Sequence, residues 1–219
     1  MKAKRTITGL LAAATLAAAT PAAAAPPQDH RRVATVRQLI AELPVTAEHR
    51  QGYQRSKFKH WVDADKDGCN TRQEVLKQEA VTPPQQTRGC KLTGGQWWSY
   101  YDDTAVNGPA GLDIDHMVPL AEAWDSGAYR WTAKRRELYA NDLGYPRSLV
   151  AVTARANRSK ADQDPAQWMP PAEDARCQYL DDWVSVKTRW ALSVDGTEQQ
   201  SLQQLSEVCP DTTMDVPIT

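Results

Sequence analysis

Two short segments of the chain contain residue types that together can hydrolyse a phosphodiester bond. Residues 112–120 carry the pair Asp115 and His116 at the end of a strand-like apolar run. Residues 156–160, which follow a second such run, contribute Asn157 and the cations Arg158 and Lys160. A carboxylate and an amide offer hard oxygen ligands to a divalent metal, an imidazole titrates near neutrality, and cations attract phosphate. The two segments therefore predict a metal-dependent nuclease.

Both segments resemble the HNH endonucleases of the ββα-metal group, in particular a secreted bacterial branch. In that family an Asp-His pair before a hydrophobic-Val-Pro-Leu run supplies one metal ligand and the general base, and the Asn of an Asn-Arg-x-Lys run supplies another ligand. The core resemblance covers about residues 111–171. The other histidines, His30, His49 and His60, lie far upstream, so Asn157 stands for the third letter of the family name. The resemblance implies an α+β fold in which additional helices wrap a ββα-metal core.

Roles for the candidate residues follow from this resemblance. We expect Asp115 and Asn157, with several waters, to hold Mg²⁺ or Mn²⁺, and His116 to take the proton from the attacking water. Arg158 and Lys160 are expected to bind phosphate. Neighbouring residues of a regular strand point to opposite faces, so Asp115 and His116 can serve one phosphate only where the strand bends or ends. The group that fixes the tautomer of His116 is not identified by the sequence.

The distribution of charge is local rather than global. Residues 112–129 contain four acids and no Lys or Arg, whereas residues 130–160 contain eight cations and two acids. An acidic edge beside a basic edge suits a groove that binds metal and nucleic acid. Three of the cations, Lys134, Arg135 and Arg136, are equally consistent with a solvated helix face.

The N-terminal residues 1–25 have the features of a secretory signal peptide. Lys2, Lys4 and Arg5 precede a short apolar run, which ends in the alanines of residues 22–25. The run is too short for a comfortable membrane span, so we expect cleavage and a secreted, extracellular protein, with an uncleaved anchor as the alternative. Its removal would leave 23 Lys and Arg against 27 Asp and Glu, which excludes a generally basic nucleic-acid-binding protein. We expect residues 26–219 to form a single, monomeric domain.

Four cysteines in an exported chain predict two disulfides, which can pair in three ways. We favour the local pairs Cys69–Cys90 and Cys177–Cys209, each worth about 3–4 kcal/mol in the chain-entropy model. A zinc site is disfavoured because the cysteines have no C-x-x-C spacing and the compartment is oxidising.

A separate acidic segment, residues 63–74, matches the EF-hand calcium loop. Asp63, Asp65, Asp67 and Glu74 occupy ligand positions 1, 3, 5 and 12, and Cys69 at position 7 can ligate through its backbone carbonyl. A structural Ca²⁺ is the functional interpretation, and an acidic turn without a metal is the alternative.

Apolar periodicity and turn residues predict the elements around these sites. Helices are expected at residues 33–43, 47–61, 71–80, 120–124, 131–140 and 165–168, strands at 112–118 and 149–153, and a hairpin within 90–101. In the C-terminal helical brace, residues 172–209, an aromatic stripe of Tyr179, Trp183, Val186 and Trp190 is expected to pack on the core. Trp97, Trp98, Tyr100 and Tyr101 fit a core better than a base-stacking platform, because the chain has one Phe.

The sequence thus predicts a secreted nuclease that cuts DNA, and RNA as a further candidate substrate, with low sequence specificity. The rival hypothesis is an exported calcium-binding or cell-wall-associated module without enzymatic activity.

Overall fold

The computed structural model of the protein describes residues 30–219. The predicted signal peptide, residues 1–25, lies outside the described residues. Within the described range the architecture is α+β, with four two-stranded antiparallel sheets among helices. None of the helices in this range has both the length and the apolar character that a membrane span requires.

The structure contains short strands and helices of very different lengths. The strands are β1 (Arg31–Thr35), β2 (Gln85–Thr87), β3 (Lys91–Thr93), β4 (Gln96–Ser99), β5 (Thr104–Asn107), β6 (Leu112–His116), β7 (Leu149–Thr153) and β8 (Thr213–Pro217). The helices are α1 (Val36–Glu42), α2 (Thr71–Gln78), α3 (Leu120–Asp125), α4 (Ala133–Ala140), α5 (Ala154–Lys160), α6 (Arg176–Trp190) and α7 (Gly196–Val208).

Strands β6 and β7 form the antiparallel pair that carries the candidate residues. Asp115 lies opposite Val150, and His116, the last residue of β6, lies opposite Leu149. The chain passes from β7 directly into α5, because the Thr153 side chain caps that helix by accepting a hydrogen bond from a backbone N–H in its first turn. Two paired strands and the helix that follows them therefore hold the predicted site.

Apolar side chains pack in two clusters on either side of this unit. The larger cluster includes the predicted stripe of α6, whose four members Tyr179, Trp183, Val186 and Trp190 are all buried. The smaller cluster packs α2 and the Cys69–Cys90 disulfide against the face of the strands that carries Leu112, Ile114, Leu149 and Ala151. Because both sides are packed, the strand end at His116 is fixed in position.

The aromatic residues between Cys90 and Tyr101 were predicted to lie in the core. Trp97 and Tyr101 are fully buried, as predicted, whereas Trp98 is half exposed. The Trp97 indole N–H donates a hydrogen bond to the Leu76 carbonyl at 2.8 Å, so its polar edge is satisfied in the interior.

Both disulfides predicted from the sequence are present. Cys69 is bonded to Cys90, and Cys177, at the start of α6, is bonded to Cys209, directly after α7. The second bond ties the two C-terminal helices together. All four cysteines are therefore oxidised, and none is available as a zinc thiolate.

Several predicted elements differ from the observed ones. The helix expected at residues 33–43 begins only at Val36, because Thr35 and Gln38 form a capping box there, and the preceding residues form β1. The pairing of β1 with β8 joins the two ends of the described chain, a contact that local periodicity cannot predict.

The helix expected at residues 47–61 is absent, and only a 3₁₀ turn at Arg55–Lys57 is formed there. Gly52 has a φ of 78°, which interrupts a right-handed helix, and the Lys57 ammonium donates to the Gly52 carbonyl at 2.7 Å. The helix expected at 165–168 is also absent. The hairpin expected within 90–101 is replaced by two hairpins, in which β3 pairs with β2 and β4 with β5.

Candidate functional site

The end of β6 and the start of α5 border a cleft of about 350 Å³. Among its lining residues are Asp115, His116, Asn157 and Arg158, so the structure brings four of the five predicted active-site residues to one place. Asp115 and His116 can both reach this cleft because the strand ends at His116, one of the two conditions expected from the sequence.

His116 is a buried imidazole with one defined hydrogen bond. Its Nε2 lies 3.0 Å from the carbonyl oxygen of Ala140, the last residue of α4. A carbonyl can only accept, so in the neutral ring Nε2 carries the hydrogen and Nδ1 has the free lone pair. Burial is the main cause that lowers the pKa of His116, to about 3, while the bond to Ala140 opposes the fall. The ring is therefore neutral at physiological pH and can accept a proton through Nδ1.

Asp115 is a buried carboxylate held from behind. Its Oδ2 accepts a hydrogen bond from the Tyr101 hydroxyl at 2.6 Å and also from the Lys160 ammonium, with which it forms an ion pair. Burial raises the pKa of Asp115, and the charge of Lys160 opposes this rise. The two donors engage the same oxygen, which orients the carboxylate at the edge of the cleft.

The placement of Lys160 requires a correction. We expected Lys160 to bind phosphate, but its side chain is fully buried and donates to the backbone carbonyls of His116 at 3.1 Å and Met117 at 2.7 Å as well as to Asp115. Burial lowers the pKa of Lys160, and its partner Asp115 opposes that fall. An ammonium with three interior acceptors is not positioned to receive phosphate from the cleft. Lys160 instead anchors the chain on both sides of the candidate base.

Asn157 lies within α5 rather than in the turn that was expected after β7. Its Nδ2 donates to Asp113 Oδ2 at 3.2 Å, and Arg158 Nε lies 3.3 Å from the same oxygen. A carboxylate is an acceptor, so this bond assigns the amide orientation and leaves Oδ1 of Asn157 as an oxygen donor for a metal. Arg158 is exposed at the cleft and forms an ion pair with Asp113.

Four contributors to the site were not assigned from the sequence. Tyr101 was expected only as a core residue, and Asp113 only as part of an acidic edge. The Ala140 carbonyl belongs to the backbone, so its role cannot be predicted from the type of the residue. Arg55, at the 3₁₀ turn, also lines the cleft, although it precedes Asp115 by 60 residues.

The predicted calcium loop is a separate feature. Carboxylate oxygens of Asp63, Asp65 and Asp67 lie within 4.8 Å of one another, and the loop leads into α2, as an EF-hand loop leads into its second helix. Residues 58–62, which lead directly into the loop, are not helical, so the first helix of an EF-hand is missing at this position. Glu74 lies in the first turn of α2, with its carboxylate 2.7 Å from the Lys77 ammonium. The disulfide at Cys69 leaves only its carbonyl as a ligand, as expected, and calcium binding stays a prediction.

Comparisons with known proteins agree with a nuclease-related domain. Residues 50–205 match the family model described as "GmrSD restriction endonucleases, C-terminal domain". The chain is also similar to an "Uncharacterized secreted protein" of Arthroderma benhamiae, with 39% identity over 207 residues that cover 94% of this chain and 100% of the relative. No solved structure matches the chain.

Proposed function

The chain belongs to the family of the C-terminal domain of GmrSD restriction endonucleases, and from this premise we propose that it is a metal-dependent endonuclease of the HNH type. It hydrolyses phosphodiester bonds of DNA, and of RNA as a second substrate, with low sequence specificity. The unit of β6, β7 and α5 serves as its ββα-metal core. The assignment to the HNH type is supported by the resemblance of residues 111–171 to a secreted bacterial branch of the HNH endonucleases.

The observation that carries this proposal is the bond between His116 Nε2 and the Ala140 carbonyl. It fixes the tautomer whose Nδ1 can accept a proton, in a cleft shared with Asp115 and Asn157. His116 is the proposed general base, which takes the proton from the attacking water. A phosphate in the cleft raises the pKa of the imidazole from its low value, because a nearby anion favours the charged form.

The oxygen donors of the cleft fit a hard divalent cation. The Asp115 carboxylate and the Asn157 amide oxygen are the proposed ligands of Mg²⁺ or Mn²⁺, with water as the remaining ligands. When bound, such an ion stabilises the negative charge that develops on the phosphate and on the leaving oxygen. Tyr101 and Lys160 hold the Asp115 carboxylate in place, which defines one ligand direction before any ion binds.

The proposed setting is extracellular, with residues 26–219 acting as one monomeric domain after removal of a signal peptide. The printed name of the Arthroderma benhamiae relative and the two disulfides support secretion. The predicted calcium loop would then serve stability rather than catalysis, because its carboxylates are not among the residues that line the cleft.

Plasmid cleavage by the purified mature protein tests the proposal. We expect cleavage with Mg²⁺ or Mn²⁺ and none with chelator, and His116→Ala should lower the rate about 10²- to 10⁴-fold. His30→Ala is the matched control, because His30 is an exposed histidine that does not line the cleft. A folded His116→Ala protein with the activity of the parent would refute the assignment. A parent protein that binds calcium and never cleaves nucleic acid would favour the non-enzymatic module.

A further inference from the structure

The cations first expected to bind phosphate are both engaged by carboxylates. Arg158 Nε lies 3.3 Å from Asp113 Oδ2, and Lys160 forms a fully buried ion pair with Asp115. A phosphate entering the cleft must compete with Asp113 for Arg158 and does not reach Lys160. A cation of the chain that no carboxylate engages would therefore assist the proposed metal ion in balancing a bound phosphate.

Arg55 meets that requirement. Its side chain is exposed and lines the same cleft as His116 and Asn157. Within residues 30–219, no carboxylate lies at ion-pair distance from its guanidinium. Tyr53 lines the cleft beside it and offers a hydroxyl. Arg55 is thus a cation without a carboxylate partner among the described residues, and it has a polar neighbour in the lining of the same cleft.

The backbone that carries Arg55 is anchored on both sides. The Phe58 N–H donates to the Arg55 carbonyl at 3.0 Å, and the Phe58 ring is fully buried in the larger core cluster. On the other side of the turn, the Lys57 ammonium donates to the Gly52 carbonyl, and the Arg136 guanidinium donates to the Lys57 carbonyl at 3.2 Å. The side chain of Arg55 therefore projects from a fixed turn and not from a free loop.

We propose that Arg55 and the hydroxyl of Tyr53 form a phosphate-binding site in this cleft. The guanidinium donates to non-bridging oxygens of a substrate phosphate, for which its planar fork is suited, next to the water that His116 activates. This site rests on the proposed nuclease function and supplies the cation that Lys160 does not. Charge that develops on the phosphate during hydrolysis strengthens the contact.

The test compares Arg55→Ala, Arg55→Gln and Arg55→Lys with the control Lys59→Ala in the full mature protein. Lys59 is an exposed cation four residues away, which pairs with Glu137 and does not line the cleft. We expect Arg55→Ala and Arg55→Gln to lower kcat/KM for plasmid DNA about 10²-fold and Arg55→Lys to retain part of the activity. Lys59→Ala should keep the activity of the parent. Melting temperatures report whether each variant is folded.

A binding assay separates this inference from the proposed function. A fluorescent DNA duplex is titrated with His116→Ala protein, with and without Arg55→Gln, at several salt concentrations. We expect Arg55→Gln to weaken binding and to reduce the salt dependence by about one counterion, with no such change for Lys59→Ala. If the parent cleaves and folded Arg55 variants match Lys59→Ala in rate and binding, the phosphate site is refuted and the nuclease stands. If the parent never cleaves but the binding difference appears, the nuclease assignment fails and the phosphate site stands.

Discussion

Replacement of Lys160 by methionine tests the structure against the role that the sequence first suggested. Methionine has a similar length and no charge, so Lys160→Met removes the ion pair with Asp115 and the hydrogen bonds to the carbonyls of His116 and Met117. The Asp115 carboxylate then stays buried with the Tyr101 hydroxyl as its remaining donor. Loss of one partner from a buried pair leaves an uncompensated charge, which costs about 3–5 kcal/mol.

The expected effect is large on stability as well as on activity. For a domain of this size, 3–5 kcal/mol corresponds to a fall in Tm of about 6–20 °C. Urea unfolding in EDTA, which removes any contribution from a bound ion, measures the free energy of unfolding directly. The exposed control Lys59→Met should change that free energy by less than about 0.5 kcal/mol.

A double variant sharpens the test. Asp115→Asn removes the buried charge, so Lys160→Met with Asp115→Asn should be more stable than Lys160→Met alone, although neither protein should cleave DNA. If Lys160 instead binds phosphate, Lys160→Met will weaken DNA binding while its unfolding curve matches that of the parent. That result would refute the interior role of Lys160.

Three further predictions concern the metal ligand, a titrating carboxyl and the acidic loop. Asn157→Ala should lose activity, and high Mg²⁺ or Mn²⁺ should partly restore it. The measurement is the cleavage rate as a function of metal concentration. If the rate does not recover, the role of Asn157 is structural. Burial raises the pKa of Glu79 to about 7. The native state therefore binds this proton more tightly than the unfolded chain does, and the parent loses stability as pH rises from about 4.5 to 7. Glu79→Gln should remove that loss, which is worth about 3 kcal/mol at pH 8 and almost nothing at pH 4 in urea unfolding. Equal stability differences at both pH values would contradict this prediction. Calcium should raise the Tm of the parent, and the double substitution Asp63→Ala with Glu74→Ala should abolish this increase. If calcium does not change the Tm of the parent, the loop is an ordinary acidic turn.

The elements that could be predicted are those with a strong local pattern. The strand at residues 149–153 has the predicted bounds, because its run of apolar residues is buried on both faces. The strand predicted at 112–118 ends two residues earlier, at His116, where the chain turns toward Pro119 and α3. The aromatic stripe of α6 was likewise predicted from its spacing, and of the three possible cysteine pairings the favoured local one is observed.

Residues 47–61 show why other elements could not be predicted. Their aromatic side chains Tyr53, Phe58 and Trp61 suggest a helical face, but they pack on separate neighbours. Tyr53 and Phe58 join the cluster around α3 and α4, whereas Trp61 packs against the cluster behind β6. Long-range packing therefore decides the conformation, and the positive φ of Gly52 permits the break. The same segment delivers Arg55 to the cleft, so the missed turn and the missed site residue have one cause.

The error over Lys160 has a different origin, in the period assumed for residues 157–160. In a turn or strand, Arg158 and Lys160 would share a face, since alternate residues do so. In a helix, the residue three positions after Asn157 shares its face, and this residue is Lys160. A prediction of residues 157–160 as a helix would have put Arg158 and Lys160 on different faces, with Lys160 facing β6.

One turn of α5 thus contacts both carboxylates of β6. Asp113 and Asp115 are two residues apart and point to the same face of the strand, about 6–7 Å from each other along it. Asn157 and Arg158 bind the first carboxylate, and Lys160, about 4–5 Å further along the helix axis, binds the second. Because the helix and the strand are joined by charge-assisted bonds at two points, the proposed ligands Asp115 and Asn157 are held in one fixed relation, and a substitution at either end of this pairing should displace both.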